Sequence, residues 1–296
     1  MTPASAVETV AVVRAGAGTL RGMNRSEPEY VLGTDATELA RLEIQHRLWR
    51  PTATALWNRA GFSRGWRILD VGSGPGFAAF DLADCVGPQG AVHAVDESVR
   101  FIAHLRQSAA QRSPANITAQ VADVQNLPPD IGPFDAAYAR WVLCFTPRPR
   151  DAVASVARAV RPGGVFAIQD YFDYEALTLA PRTPIFDRVR AAIAKSWRDA
   201  GGDPDVASHL PGWLNSCGFR VREIKAHSLA IRPSDDFWAW PHTFFASFLP
   251  RLVASGHLKE AEWVEFQAEW ERRCTDDASF FLTPTVFDII AERLEN

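Results

Sequence analysis

The sequence has 296 residues, of which 47% are hydrophobic and 22% charged, and its formal net charge is −4. A chain of this length can form one large domain, or one domain with a cap. The acidic balance and the lack of a basic stripe argue against a nucleic-acid partner. No apolar run approaches the ~18 residues of a membrane span, so we expect no membrane partner.

Four cysteines, Cys85, Cys144, Cys217 and Cys274, are scattered through the chain without a C-x-x-C pair. This spacing fits neither a metal site nor a disulfide framework. Reduced thiols in the cytoplasm are the simplest interpretation, and we predict a cytoplasmic protein.

The first 62 residues are predicted to form an arm and a cap. Residues 1–28 are small, polar and rich in glycine, which favours a flexible arm. Residues 29–62 are expected to be an N-terminal helical cap, because apolar residues such as Leu39 and Leu42 recur at spacings of three and four. Pro51 is expected to interrupt this helical pattern.

Residues 63–175 alternate between strand and helix patterns, which favours a parallel sheet with right-handed crossovers. The predicted strands are Arg67–Val71, Ala91–Asp96, Ile117–Asp123, Phe134–Val142 and Gly164–Phe172. The predicted helices between them are Gly76–Val86, Glu97–Gln111 and Arg150–Val160. Since ligands of such sheets bind beyond the carboxyl ends of the strands, motifs at these ends are the candidates for a binding site.

Residues 176–296 are interpreted as the rest of the sheet together with an aromatic-rich helical substrate cap at about 235–274. The other predicted elements here are helices over Pro184–Gly201 and Asp205–Cys217, a strand or hairpin arm over Phe219–Ile231, a last strand over Ala278–Leu282, and a short helix over Pro284–Leu294. The second half of the aromatic-rich region is the part in which we expect helix.

Gly72, Gly74 and Gly76 occupy alternate positions directly after the first predicted strand. This arrangement suits a buried strand that turns sharply into a helix while a ligand lies against the backbone. The dinucleotide fingerprint G-x-G-x-x-G would place its third glycine at position 77, where this sequence has Phe77. This mismatch counts against the alternative that the protein is a nicotinamide-dependent oxidoreductase, but that alternative stays open.

An acid stands at the end of each of the first three predicted strands: Asp70, Asp96 and Asp123. A carboxylate in the position of Asp96 can accept hydrogen bonds from both hydroxyls of a ribose. Asp123, together with the backbone of Val124, is placed to meet an adenine edge. Three acids at one edge suit a positively charged nucleoside and suit a pyrophosphate poorly. S-adenosylmethionine fits such a groove, and backbone N–H groups near Gly76 could bind its carboxylate.

The glycine segment resembles motif I of class I S-adenosylmethionine-dependent methyltransferases. The segment Phe134–Trp141 and the turn Val160–Gly164 are similar to that family as well, and the resemblance covers roughly residues 30–175. It implies a doubly wound, mostly parallel seven-stranded α/β sheet of the Rossmann-like type. It also implies an N-terminal helical cap, a C-terminal helical insertion, and an S-adenosylmethionine-binding core at residues 63–175.

This resemblance and the strand ends together predict the cofactor-binding residues. They are Asp70, Gly72, Ser73, Gly74, Gly76, Asp96, Glu97, Ala122, Asp123, Val124, Arg140, Trp141, Tyr30 and Gln45. No catalytic metal is expected, because residues 139–150 lack the carboxylates that metal-dependent catechol methyltransferases place after the fourth strand.

Residues 237–245 are densely aromatic. This density favours a hydrophobic cap over a flat or apolar small molecule. The same rings could instead be the core of a helical subdomain or the interface of a homodimer. His242 lies within this run and is our candidate for a general base.

The predicted function is S-adenosylmethionine-dependent methyl transfer to a small aromatic or apolar metabolite, at oxygen. Nitrogen or carbon acceptors are alternatives, and a non-catalytic protein on the same fold also stays open. DNA is disfavoured as a substrate, because the end of the fourth strand lacks the Asn/Asp-Pro-Pro-Tyr segment of enzymes that methylate base nitrogens.

Overall fold

The structure, a computed structural model, describes residues 36–112 and 116–295. The arm predicted at residues 1–28 and the predicted cofactor contact Tyr30 lie outside the described residues. Within the part that is described, none of the helices is both long and apolar enough to cross a bilayer.

The described helices and strands follow one another along the chain in the order of their numbers within each class. The helices are α1 (Ala36–Ala60), α2 (Phe77–Val86), α3 (Val99–Ala109), α4 (Pro149–Ala159), α5 (Pro184–Asp199), α6 (Leu210–Ser216), α7 (Ala239–Ala254) and α8 (Glu260–Cys274). The strands are β1 (Arg67–Val71), β2 (Ala91–Asp96), β3 (Ile117–Val121), β4 (Phe134–Arg140), β5 (Val160–Phe172), β6 (Thr178–Ala180), β7 (Phe219–His227), β8 (Ala230–Ile231), β9 (Phe280–Leu282) and β10 (Thr285–Arg293).

The main sheet has seven strands in the order β3-β2-β1-β4-β5-β10-β7. The first five are mutually parallel, and β10 runs antiparallel to both of its neighbours. This topology confirms the predicted doubly wound, mostly parallel sheet. Strand order reverses between β1 and β4, where crossovers leave a crevice at the carboxyl ends of the strands.

Strand β1 is buried on both faces, as expected of a central parallel strand. Ile68, Leu69 and Val71 are each 0% exposed. Ile68 packs in the apolar layer that α2 covers, and Leu69 and Val71 pack in the layer that α4 and α5 cover. With both faces covered, the functional groups of the sheet are confined to its edge.

Helix α1 continues through Pro51, so the predicted interruption is wrong. Proline removes one backbone donor, and this loss is offset where packing fixes the helix on both sides. Trp49 and Ala53, which flank Pro51, are each 0% exposed, and Trp57 is only 2% exposed. The helix therefore lies across the sheet as one rod, with its first half over the crevice.

The short helix predicted over Pro284–Leu294 is also wrong, because Thr285–Arg293 is strand β10. Ile289 pairs with Ile168 of β5 on one side and with Ile224 of β7 on the other. The apolar residues of this segment recur at a spacing that is typical of a helix. The β-branched residues and the pairing with two neighbouring strands favour a strand instead.

The predicted last strand, Ala278–Leu282, corresponds to β9, which belongs to a separate sheet with β6 and β8. The predicted arm Phe219–Ile231 is divided between the edge strand β7 of the main sheet and β8 of the small one. The aromatic region is helical from Ala239 onward, earlier than predicted. Helices α7 and α8 thus form an insertion between β8 and β9.

A buried carboxylate on β10 joins several elements. Asp288 is 0% exposed and accepts hydrogen bonds from Arg59 Nη2 at 2.6 Å, Gln169 Nε2 at 2.8 Å and His227 Nε2 at 2.8 Å. Gln169 in turn accepts a hydrogen bond from the Tyr138 hydroxyl at 2.8 Å. A buried charge is tolerated where it is paired and hydrogen-bonded in this way. The network fixes α1 to β4, β5, β7 and β10 beneath the crevice.

Replacing Asp288 should therefore destabilise the whole sheet. In Asp288→Ala the Arg59 guanidinium and the Gln169 amide lose a buried acceptor, and the free energy of unfolding should fall by about 3–5 kcal/mol. Glu223, the half-buried second partner of Arg59, offers a control. Glu223→Ala should lower the free energy of unfolding by less than about 1 kcal/mol. Urea denaturation measures both, and equal losses would contradict the assigned role of Asp288.

Candidate functional site

A cavity of about 480 Å³ lies at the carboxyl ends of the parallel strands, between the sheet, α1 and α7. One end, called here the acidic end, is formed by the loop after β1 and by the acids Asp70, Asp96, Glu97 and Asp123. The other end, called here the aromatic end, is formed by Trp141, Tyr171, Tyr174, Trp197, Trp240, Phe244 and Phe245. The cavity lies at the reversal of strand order, which is where ligands of such folds bind.

The three glycines after β1 serve two different purposes. Gly72, Gly74 and Gly76 have φ values of +63°, +54° and +94°, a region that side-chain-bearing residues rarely adopt. A Cβ at Gly72 would collide with Val142, and a Cβ at Gly76 would collide with Leu105. A Cβ at Gly74 would meet no atom of a described residue within 4 Å. Packing thus requires the outer two glycines, whereas the middle one keeps the loop open on the cavity side.

Asp96, at the end of β2, holds this loop in place. Its Oδ2 accepts a hydrogen bond from the Gly74 N–H at 2.8 Å, and its Oδ1 accepts one from the Ser98 N–H at 2.9 Å. Burial raises the pKa of Asp96, while these two N–H donors lower it. The carboxylate lines the cavity, so remaining lone pairs on both oxygens are available to two hydroxyls of a ligand.

Asp70, at the end of β1, has a buried oxygen that no described residue satisfies. The residue is 2% exposed, and its Oδ2 has no hydrogen-bond partner within the described chain. Burial raises the pKa of Asp70 to about 7; the nearby Arg140 lowers this pKa and Asp96 raises it. An unpaired buried acceptor that lines a cavity is a candidate contact for a cationic or hydrogen-bond-donating group.

The other two acids lie at the rim. Asp123 is exposed and accepts hydrogen bonds from the backbone and side-chain nitrogens of Gln125 at 2.8 and 2.9 Å, so it also caps the short turn that follows β3. Burial raises the pKa of Glu97, and the neighbouring Asp96 and Asp123 raise it further. Ala122 and Val124 complete this wall.

Arg140 connects the cavity to α1 through a histidine that the sequence analysis did not select. Arg140 Nη2 lies 3.0 Å from His46 Nδ1, and His46 Nε2 lies 3.0 Å from Asp81 Oδ2. Since arginine can only donate, His46 Nδ1 accepts and His46 Nε2 donates to Asp81. Burial lowers the pKa of His46, in agreement with a neutral ring. Arg140 Nη1 stays buried without a partner among the described residues.

Gln45 joins α1 to the cap helix α7. Its Oε1 accepts hydrogen bonds from Arg41 Nη1 at 2.9 Å and from Trp240 Nε1 at 3.0 Å. These two hydrogen bonds to Oε1 fix the orientation of the amide. Its Nε2 carries two N–H groups that can donate. The predicted contact residue Gln45 therefore lies in the cavity wall between the acidic and the aromatic end.

Trp141 leaves β4 with a left-handed backbone, at φ +52°. Non-glycine residues rarely adopt this conformation. It ends strand β4 at Arg140. The indole ring stacks between Tyr171, at 5.8 Å between ring centroids, and Trp240, at 5.9 Å. The backbone turn thus places Trp141 as the wall between the sheet and α7.

The aromatic run of the sequence contributes to the cavity and to the core at once. Trp240 and Phe245 are 5% and 3% exposed, and both line the cavity. Phe245 also packs against Phe266 and Trp270 of α8. The rings thus belong to the cavity wall and to the helical core together, and a substrate cap stays a prediction.

His242 does not line the cavity. It is exposed, and its Nδ1 accepts a hydrogen bond from Trp270 Nε1 at 3.1 Å. Trp240, Pro241, Phe244 and Phe245 face the cavity, and position 242 lies on another side of the same helix. A role for His242 as a general base stays a prediction that this placement does not support.

Several cavity residues escaped the sequence analysis, among them Arg41, His46, Tyr174 and Trp197. Tyr174 follows β5 closely, so the rule of strand ends is a signal that points to it. Arg41, His46 and Trp197 reach the cavity only through the packing of α1 and α5, for which the sequence carries no such signal.

Comparison with known proteins shows which domain part of this chain resembles. Residues 68–164 match a family model described as a methyltransferase domain. A 2-phytyl-1,4-naphthoquinone methyltransferase of Nostoc punctiforme is 33% identical over 149 residues, which cover 50% of this chain and 62% of the relative. An aklanonic acid methyltransferase of a Streptomyces species is 35% identical over 94 residues, which cover 32% of this chain and 41% of the relative.

A solved structure has the same fold. A phosphoethanolamine N-methyltransferase of Haemonchus contortus, in complex with phosphomonomethylethanolamine and S-adenosylhomocysteine, matches with a TM-score of 0.53 at 16% identity. The match covers 83% of this chain and 53% of that protein. The chain spans less than two thirds of the length of these curated relatives. Methyltransferases of this family use S-adenosylmethionine as the methyl donor.

Two matched variants test whether Gly72 is required for packing and Gly74 for an open cavity. Gly74→Ala should cost about 1–3 kcal/mol of stability, for its left-handed backbone alone. Its new methyl group enters the cavity, so the affinity for S-adenosylhomocysteine should fall about tenfold or more. Gly72→Ala adds a collision with Val142 to the same backbone strain and should lose clearly more stability. Urea denaturation and calorimetric titration check both, and wild-type affinity in Gly74→Ala would contradict the assignment.

The buried carboxyl of Asp70 should make stability depend on pH. Its pKa is raised from 3.8 to about 7 by folding, so the folded state binds more protons between these values. The free energy of unfolding therefore falls as pH rises through this window. Asp70→Asn should remove the loss and stabilise the ligand-free protein above pH 7 by roughly 1–4 kcal/mol. The difference should shrink toward pH 4 in urea denaturation; a variant with the wild-type pH profile would refute this assignment.

Proposed function

We propose that this chain, whose residues 68–164 are a class I, S-adenosylmethionine-dependent methyltransferase domain, transfers a methyl group to a small, flat metabolite at an oxygen atom. The observation that carries the proposal is one continuous cavity with two chemically different ends. The acidic end suits a cationic nucleoside, and the aromatic end suits an apolar ring.

The residues of the acidic end fit S-adenosylmethionine group by group. Asp70 Oδ2 would accept from its ammonium and Arg140 Nη1 would donate to its carboxylate, since neither atom has a partner among residues 36–112 and 116–295. Asp96 would hold the ribose hydroxyls, and Asp123 the adenine amine. The open side of Gly74 leaves room for the ligand against the backbone. When bound, this donor supplies an electrophilic methyl group on a sulfonium.

The chain itself would contribute position and the exclusion of water. Helix α1 and helix α7 meet above the cavity through the Gln45–Trp240 hydrogen bond, which joins the two helices over the bound ligands. Aromatic rings on the opposite side fix the plane of a flat acceptor against Trp141. Alignment of two reactants in a dry site accounts for a large part of the rate that such transfers need.

The same cavity bears on the choice between S-adenosylmethionine and a nicotinamide cofactor. A nicotinamide cofactor would bring a pyrophosphate next to Asp70 and Asp96, and this placement is electrostatically unfavourable. Nitrogen and carbon acceptors stay alternatives to oxygen. The naphthoquinone named in one relative is flat and bears oxygen, which supports an acceptor of this general shape.

Calorimetric titration with S-adenosylhomocysteine tests the proposal. The wild type should bind with micromolar affinity, and Asp96→Ala should bind about 100-fold more weakly, because two charge-assisted hydrogen bonds to the ribose are lost. Asp84→Ala is a matched control: Asp84 is exposed on α2, pairs with Arg112 and does not line the cavity. It should keep wild-type affinity.

Circular dichroism of each variant guards against a loss of fold. Undiminished binding by Asp96→Ala would contradict the proposed cofactor site. Turnover is measured separately, by transfer of labelled methyl groups from S-adenosylmethionine to a panel of flat hydroxylated compounds. A protein that binds S-adenosylhomocysteine but transfers no label to any acceptor would instead be a ligand-binding protein on the same fold.

A further inference from the structure

The aromatic end of the cavity carries four polar groups that have no hydrogen-bond partner among the described residues. The hydroxyls of Tyr171 and Tyr174 make no hydrogen bond with another described residue. Trp141 Nε1 and Trp197 Nε1 are buried and also lack a partner within the described chain. We call these four residues the donor cluster, because each carries an O–H or N–H group.

The members of the donor cluster contact one another directly. The ring of Tyr174 lies 5.1 Å from that of Tyr171 and 4.6 Å from that of Trp197, measured between centroids. Tyr171 also stacks on Trp141 at 5.8 Å. Burial raises the pKa of both tyrosines well above the usual value, so they stay protonated at neutral pH and can donate. Unpartnered buried donors that line one cavity indicate an acceptor atom in its contents.

Two charged groups lie near the donor cluster: Arg41 lines the cavity, whereas the carboxyl of Asp170 does not. Arg41, on α1, lies close enough to lower the pKa of both tyrosines, although it is paired with Glu38 and Gln45. Asp170 is buried behind Tyr171, and its oxygens accept from the backbone N–H groups of Leu143, Cys144 and Tyr171. Burial raises the pKa of Asp170 to about 6, and the residue does not line the cavity.

Within the described part of the chain, the aromatic end has no side chain that is free to act as a base. Among the described residues that line the cavity, His46 is the only imidazole, and both of its nitrogens are engaged, by Arg140 and Asp81. The carboxylates that line the cavity, Asp70, Asp96, Glu97 and Asp123, are at the acidic end. A neutral hydroxyl bound among the aromatic rings would therefore find no side chain of residues 36–112 or 116–295 to take its proton.

On the basis of the proposed function, we infer that the acceptor substrate binds as a planar oxyanion, an acidic phenol or enol that is already ionised, with an oxygen held by Tyr171 and Tyr174. An electron pair of the oxyanion forms the new bond to the methyl carbon. The methyl–sulfur bond breaks, and its electron pair stays on sulfur, which becomes a neutral thioether. The two opposite charges cancel and no proton has to leave, so the reaction needs no base.

The two ends of the cavity suit ligands of opposite charge. The carboxylates of the acidic end favour the cationic S-adenosylmethionine. The O–H and N–H groups of the donor cluster favour the anionic acceptor. A dry site promotes a reaction in which both charges disappear. Neutral apolar molecules of the same shape would fill the aromatic end but leave its donors unsatisfied, which gives the site a means to discriminate.

The test uses two ligands of nearly equal shape. 2,4-Dinitrophenol is an anion at neutral pH, and 2,4-dinitrotoluene carries a methyl group in place of the charged oxygen. Each is titrated calorimetrically into the wild-type protein saturated with S-adenosylhomocysteine. The anion should bind at least about tenfold more tightly. Equal affinities, or no binding of the anion, would overturn the inference without touching the proposed methyl-donor site.

Two variants locate the effect. Tyr171→Phe and Tyr174→Phe should each weaken binding of dinitrophenolate about tenfold, while the affinities for dinitrotoluene and for S-adenosylhomocysteine stay within about twofold of the wild type. A parallel loss for both aromatic ligands would indicate a change of shape and would refute the assigned donors. If S-adenosylhomocysteine fails to bind even the wild type, the proposed function fails first, and the two failures are thereby distinguished.

Discussion

The close packing of the loop after β1 is the constraint on which the rest of the site depends. A Cβ at Gly72 would collide with Val142, and a Cβ at Gly76 would collide with Leu105, so the loop is closely packed at both ends. Between these ends the Gly74 N–H donates to Asp96, and an oxygen of Asp70, on the preceding strand, has no partner within the described chain. The loop is thus held by its neighbours at both ends and is open only where a ligand would lie.

Helix α1 relates this loop to the other end of the cavity. His46 faces Arg140 and the acids, and Gln45, the adjacent residue, faces Trp240 and the aromatic rings. One turn of helix therefore contacts both halves of the site. Because α1 is itself anchored to the sheet through Arg59 and Asp288, the spacing between the two halves is set by the core.

The sequence was most informative where local pattern and strand topology act together. The strands of the parallel half and the acids at their ends follow from alternation and from the rule of carboxyl ends. Strand β10 could not be found in this way, because its partners, β5 and β7, are distant in sequence and its apolar spacing imitates a helix. The donor cluster and His46 depend on contacts between separate segments, and the direction of His242 depends on which side of α7 is buried.

Strand β10 has a consequence for how the protein reaches its native state. It is inserted between β5 and β7, and its partner residues on β5 precede it by more than a hundred positions. Until it docks, both neighbouring strands present unpaired edges to other molecules in the same solution. We therefore expect the pairing of β10 to be slower than the pairing of the parallel strands. A high concentration of newly made chains at high temperature should favour aggregation over completion of the fold.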